Sequence, residues 1–200
     1  MDIERFKTVK GVIETKINIE RSIFIATLSY VEDERKAKEF ISEISKRYKD
    51  ATHNCPAYRV IENGNILEFS SDAGEPSGTA GLPMLNTLRK NELLNVAVVV
   101  TRYFGGVKLG VRGLIDAYSQ AVQEVIDKAV DMKSIVVKKR AYKQKLKIDF
   151  SSYGKKMQQL IYMGVTILDI SYTEAYAYLE VIYDKPLDIS EVESTEEVYI

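Results

Sequence analysis

The chain holds one cysteine and one histidine among its 200 residues. A lone Cys55 excludes an internal disulfide and suits a reducing compartment. His53 and Cys55 sit one residue apart in DATHNCPAYRV and supply only two of the three or four ligands that zinc normally takes. No apolar run approaches the roughly 18 residues of a membrane span. The opening MDIERFKTVKG is charged and lacks the apolar middle of a secretory signal. The expectation is a cytoplasmic protein with no membrane partner. Neither a GxxxxGK[ST] loop nor a GxGxxG turn can be drawn through the glycines between Gly105 and Gly113. Complete triads are missing as well, so no catalytic residue is assigned. No period repeats along the chain, and no tract is of low complexity.

Hydrophobic residues make up 46% of the sequence, enough for a packed core, and the formal net charge is −1. That near-neutral total hides a division. Residues 131–160 carry nine Lys or Arg against two acids, whereas 161–200 carry one Lys against nine acids. Such separation places a basic surface where phosphate can be attracted, or two solvated faces that offset one another.

Apolar and polar residues alternate through VKGVIETKINIERSIFIATLSYV, predicting two strands. Ala37, Phe40, Ile41, Ile44 and Tyr48 recur at helical spacing in the next segment, which is acidic at its start and basic at its end. AYRVIENGNILEFSS is a hairpin around Asn63-Gly64. SDAGEPSGTAG is a loop, followed by a short helix to Lys90. NVAVVVTRYF is apolar on both faces, as in a sheet interior, and a long helix follows with Val111, Leu114, Ile115, Tyr118, Val122, Val125 and Ile126 in one stripe. The pattern restarts near residues 131–137. Tyr142, Leu146, Ile148 and Phe150 then face one way and Lys143, Lys145 and Lys147 the other. A helix with a serine cap and Met157, Leu160 and Ile161 inward comes next, then two strands. The expected fold class is α+β in two domains, 1–131 and 138–200. The second reads as most of a ferredoxin-like βαββ unit with an acidic tail too short for the full second half.

Three groups carry candidate chemistry. In VVVTRYFGGVKLGVRGL, Gly105, Gly106 and Gly110 free backbone N–H groups beside a helix start, while Arg102, Lys108 and Arg112 add charge. That combination suits a phosphate or other anion, or else a tight strand-to-helix turn with solvated cations. In SSDAGEPSGTAGLP, Ser77, Gly78 and Thr79 offer further donors. Asp72 and Glu75 of that loop either hold Mg²⁺ beside a phosphate or pair with Arg102 or Lys108 in a structural ion network. His53 is a candidate polar contact. On the second domain, Tyr176 and Tyr178 share the lysines' face, the ingredients of single-stranded RNA binding or of ordinary cross-strand packing.

ATHNCPAYRV, SDAGEPSGTAGLPML and NVAVVVTRYFGGVKLGVRGLIDAY together resemble the IMPACT family and its bacterial, YigZ-type branch, over about residues 50–120. The C-terminal part resembles the family's small ferredoxin-like domain, similar to domain V of elongation factor G. The resemblance implies an N-terminal domain with a ribosomal-protein-like fold shared with translation factors and GHMP-type kinases. It also implies a link to control of translation, which in eukaryotic relatives acts through a ribosome-associated activator of an initiation-factor kinase. Ala73, Arg112 and Asp116 depart from the family's usual acid, glycine and basic residue. Asp116 lies at i+4 from Arg112, where the two can pair. The expected function is a translation-associated regulatory protein that binds RNA or a ribosome-associated protein through its basic cleft. The alternatives are an enzyme on a phosphorylated small substrate or nucleotide, and a scaffold that holds an acidic loop of another protein. No resident cofactor is expected apart from Mg²⁺ in the phosphate reading.

Overall fold

The alternating stretch folds as the two expected strands, over residues 12–19 and 22–30, and a third strand precedes them across Gly11, which takes φ +78°. The computed structural model describes residues 3–200 and divides between Val137 and Lys138. The first unit runs β1 (Arg5–Val9), β2 (Val12–Ile19), β3 (Ser22–Tyr30), α1 (Glu34–Arg47), β4 (His53–Glu62), β5 (Asn65–Ser70), α2 (Gly81–Lys90), β6 (Val96–Tyr103) and α3 (Gly110–Asp131). Its sheet has the order β2-β3-β6-β4-β5, with every neighbouring pair antiparallel.

Helices cover both faces of this sheet. Val96, Val98 and Val100 of β6 pack with Leu114, Tyr118, Val122 and Val125 of α3 and Met84 and Leu88 of α2. Ala97 points the other way, to the cluster that contains Ala37 of α1 and Tyr58 and Val60 of β4. A central strand covered on both sides has no polar face, which is why VAVVV shows no alternation. Asp33 caps α1 by accepting from the Lys36 N–H. Asn63 and Gly64, at φ +50° and +72°, turn the β4–β5 hairpin.

The second unit comprises most of β7 (Ile135–Asp149), then α4 (Phe150–Tyr162), β8 (Thr166–Tyr172), β9 (Tyr176–Tyr183) and β10 (Val192–Tyr199). Its strands lie in the order β10-β7-β9-β8, all antiparallel. The acidic tail is therefore a strand of the sheet. It takes the fourth position of a ferredoxin-like arrangement, and a loop stands where the second helix would be. Asp149, not a serine, caps α4 by accepting from the Ser151 N–H. Tyr153, Met157 and Leu160 face the core, but Ile161 is 65% exposed because it lies one residue beyond that stripe.

Gln144 holds the substitute loop in place. Its side chain is buried, accepts from the Leu187 N–H at 2.7 Å and donates to the Thr195 hydroxyl at 2.8 Å. Gln144→Leu should leave the Leu187 N–H buried without an acceptor and cost about 1–3 kcal/mol in urea unfolding. Faster hydrogen exchange at the Leu187 amide is the accompanying local signature.

Candidate functional site

The glycine-rich loop between β5 and α2 is closed by its own anion. Asp72 Oδ1 accepts from the N–H groups of Ala80 (2.9 Å) and Gly81 (2.8 Å), and Oδ2 accepts from Gly78 (2.8 Å). Burial alone would raise this carboxyl's pKa, but the three backbone donors outweigh it and hold the value below the usual carboxylate range. The expectation of a phosphate-binding loop is corrected at this point, since the Gly78 N–H is committed to Asp72. Thr79 is buried, and its hydroxyl donates to Pro76 O at 2.7 Å. Of the three predicted donors, Ser77 alone keeps an exposed side chain without a partner.

Glu75 turns inward from this loop. Its Oε1 accepts from Arg102 Nη1 at 2.7 Å and from the Tyr118 hydroxyl at 2.8 Å, and its Oε2 lies 3.9 Å from His53 Nε2. Arg102 and Glu75 side chains are 6% and 3% exposed. A buried guanidinium bonded to a buried carboxylate has little charge to offer a guest, so Arg102 is not the anion contact that the sequence suggested. The structural ion network describes both residues. Arg102 Nη2 reaches the Ser22 hydroxyl at 3.3 Å, while Nε is buried without a partner. The guanidinium lies 5.4 Å from the ring centroids of both Phe24 and Phe104.

His53 and Cys55 share one face of β4 and both reach this network. His53 Nδ1 is 2.9 Å from Ala73 O, and a carbonyl can only accept, so Nδ1 carries the hydrogen. Cys55 donates to Asp72 O at 3.1 Å and touches the Tyr118 hydroxyl at 3.4 Å. Burial pushes the thiol up to about 12, beyond what the Tyr118 hydrogen bond takes back, and a thiol held neutral is no nucleophile. Tyr118 is raised by burial too, and further by Cys55 and Glu75. Sequence reasoning placed Tyr118 in an apolar stripe and passed over its hydroxyl. A tyrosine in the middle of an apolar stripe, between Leu114 and Val122, needs a polar partner once buried, and that was the available signal; Val111, at the start of the same stripe, is 61% exposed.

The second glycine loop follows β6. A Cβ on Gly105 would stand 2.0 Å from Arg21 O, so only glycine fits where this loop crosses the β2–β3 turn. Gly106 and Gly110 take φ +86° and +69° beside open space. Phe104 is 45% exposed over Arg102, and its N–H is held by Thr52 Oγ1 at 3.0 Å. Lys108 is exposed and makes no ion pair among the described residues. The two loops do converge, but buried side chains of this chain fill their junction, and of the three cations predicted there Lys108 alone has no carboxylate partner. Arg21, exposed on the β2–β3 turn against Gly105, is a further cation without an ion pair among the described residues.

The model of the Impact N-terminal domain matches residues 20–126, which include both loops and every member of this network. A Bacillus subtilis relative, IMPACT family member YvyE, is 42% identical over 172 residues, covering 86% of this chain and 77% of that one. The chain belongs to the IMPACT family. Escherichia coli IMPACT family member YigZ is 37% identical over 110 residues, covering 54% of this chain and 53% of the relative. A crystal structure described only as a hypothetical protein superposes with TM-score 0.67 at 27% identity, covering 90% of this chain and 85% of that one.

The three residues expected to depart from the family's usual pattern have distinct places. Ala73 stands at φ +45°, where its carbonyl meets His53. Arg112 Nε binds Asp116 Oδ2 at 3.0 Å on the exposed start of α3, which partly offsets its charge. Asp72 Oδ1 and Glu75 Oε1 each already accept two hydrogen bonds from this chain, and Asp72 Oδ2 accepts one. Among the described residues no three His, Cys, Asp or Glu side chains converge as a metal set.

The open face of the second unit is balanced rather than basic. Lys143 and Lys145 both pair with Glu180, at 2.9 and 3.6 Å. Glu196 of β10 lies opposite Lys143 in the ladder, and Asp169 of β8 opposite Glu180. Lys147 sits 4.3 Å from the Tyr176 ring centroid and 5.9 Å from that of Tyr178. The side chains proposed for RNA do share a face. The strand that the tail forms adds Glu196 to it.

Two outcomes test the network. Glu75→Leu and Arg102→Met should each cost about 3–5 kcal/mol, because each strands a buried partner, and the double variant should cost less than their sum. Urea unfolding of the four proteins completes the cycle. Asp72→Asn should cost about 1–2 kcal/mol near neutral pH. Since the folded carboxyl pKa is lowered, that stabilisation is complete above the unfolded value near 3.8 and is lost as pH falls through the folded one. The wild-type advantage in thermal midpoint should therefore shrink on acidification.

Proposed function

We propose that this protein is a translation-associated regulatory binding protein whose first unit engages a protein of the translation apparatus through the rigid surface made by its two loops. Membership of the IMPACT family supports the translational setting. The observation that carries the choice of partner is the Arg102–Glu75 pair. It neutralises the cleft from inside and ties the first loop to β6, so the surface presents a half-exposed aromatic ring, Phe104, with two unpaired cations, Lys108 of the second loop and Arg21 of the turn that this loop crosses. An aromatic anchor on a rigid surface is the usual hot spot of a protein interface. A phosphate backbone would instead need several uncommitted cations. The balanced charges on the second unit's sheet support the same preference over RNA.

Co-sedimentation with purified ribosomes, with naked ribosomal RNA as the comparison, tests the proposal. Phe104→Ala is expected to weaken ribosome binding at least tenfold, and Lys143→Glu with Lys145→Glu to leave it nearly unchanged. The slope of log affinity against log salt should be shallow, roughly −2 or less in magnitude. Equal binding to naked RNA, with a steep slope and loss on lysine reversal, would make the protein an RNA binder. Failure to bind ribosomes at all would remove the proposal.

A further inference from the structure

The sheet of the first unit ends on β5, a strand that pairs with β4 alone and has a continuous register from Asn65 to Ser70. An outermost strand displays a row of unpaired backbone groups, and proteins usually blunt such an edge with lysine, proline or a bulge. β5 reads NILEFS and has none of these. Ile66, Leu67 and Phe69 are 37%, 37% and 43% exposed. Its one charge, Glu68, is held by Arg59 at 2.7 Å and by Arg89. The opposite edge differs. β2 carries exposed Glu14 and Lys16, and Lys128 occupies the Glu14 carbonyl at 2.8 Å.

Ladder parity shows which groups of β5 are open. Ser71 N–H donates to Pro56 O across the hairpin at 3.0 Å, so that opposed pair is a hydrogen-bonded one. Alternation then sends the N–H and C=O groups of Asn65, Leu67 and Phe69 toward β4. Those of Ile66, Glu68 and Ser70 point away from the sheet. The Ile61 N–H agrees, because it turns from β5 to Asn95 Oδ1 at 2.8 Å.

We propose that β5 is a strand-addition edge whose occupant is β5 of a second copy, antiparallel across a two-fold axis perpendicular to the sheet. That axis preserves the two faces, so residues of like parity oppose one another. Only registers centred on Leu67 or on Glu68 use the full strand. The second sets one Glu68 against the other, which like charge disfavours. The first sets Leu67 against Leu67 of the second copy and lets Ile66 and Glu68 exchange ladder bonds, with the two carboxylates apart. Phe69 is already fixed by stacking on Tyr58, with centroids 5.2 Å apart. Glu68 is neutralised within its own chain, so the edges do not repel. A six-residue edge is smaller than the roughly 1,200 Å² of a stable interface, so the dimer is a weak one that appears with concentration.

Sedimentation equilibrium of the full chain, from about 5 to about 500 µM, should show reversible dimerisation. Over the same range, amide exchange at Ile66 and Glu68 should slow as concentration rises, while Leu67 and Phe69 amides stay protected throughout. Leu67→Lys, at a partly exposed position, should weaken association at least tenfold with unchanged circular dichroism, and Ile66→Lys should do the same if the first variant misfolds. A monomer at every concentration overturns the proposal. A dimer in which the Ile66 and Glu68 amides remain fast overturns it equally, since that dimer uses another surface.

Discussion

The buried pair of Arg102 and Glu75 is the interaction on which the first unit's loop surface depends. Arg102 belongs to the central strand, and Glu75 to a loop that would otherwise be free to move over it. Taking both charges out of water is costly. The pair is sustained because Tyr118 donates to the same oxygen, Ser22 receives the second guanidinium nitrogen, and two phenyl rings cover the flat faces. Each partner comes from a different element, so sheet, loop and α3 are all fixed by one cluster.

The Asp72 carboxylate solves a related problem. A helix that starts after a glycine-rich loop leaves N–H groups without acceptors, and in many proteins a phosphate fills that position. Here the loop folds its own carboxylate onto Gly78, Ala80 and Gly81. With that internal anion in place and Glu75 beside Arg102, the cleft is electrostatically settled before any partner arrives. What it offers outward is shape and an aromatic ring. This is the reason for favouring a protein partner over a polyanion.

The second unit applies the same economy on a sheet. Its lysines alternate along β7 as a basic stripe would, yet Glu180 sits across from Lys145 in the ladder and bridges Lys143. Pairing of β10 with β7 then adds Glu196. Both halves thus hold strongly charged sequence segments whose charges are largely spent on each other.

Much of this architecture was legible in the chain. Helical spacing marked α1 and α3, the loop and proline placed α2, the Asn-Gly pair marked the hairpin, and the all-apolar run marked β6 as central. These signals are local, set by the periods of helix and strand and by the few residues that tolerate a positive φ. The parity that puts the lysines with Tyr176 and Tyr178 was readable for the same reason. Residue types and family pattern also pointed to Asp72, Glu75, Arg102 and His53 as a group. What those residues do was decided only in three dimensions. Whether a glutamate faces a guest or an arginine, and whether an acidic tail is a tail or a strand, depends on contacts between residues 27 to 53 positions apart. No local period encodes such contacts. They follow from which elements share a sheet and from the requirement that every charge buried by that sharing find a partner.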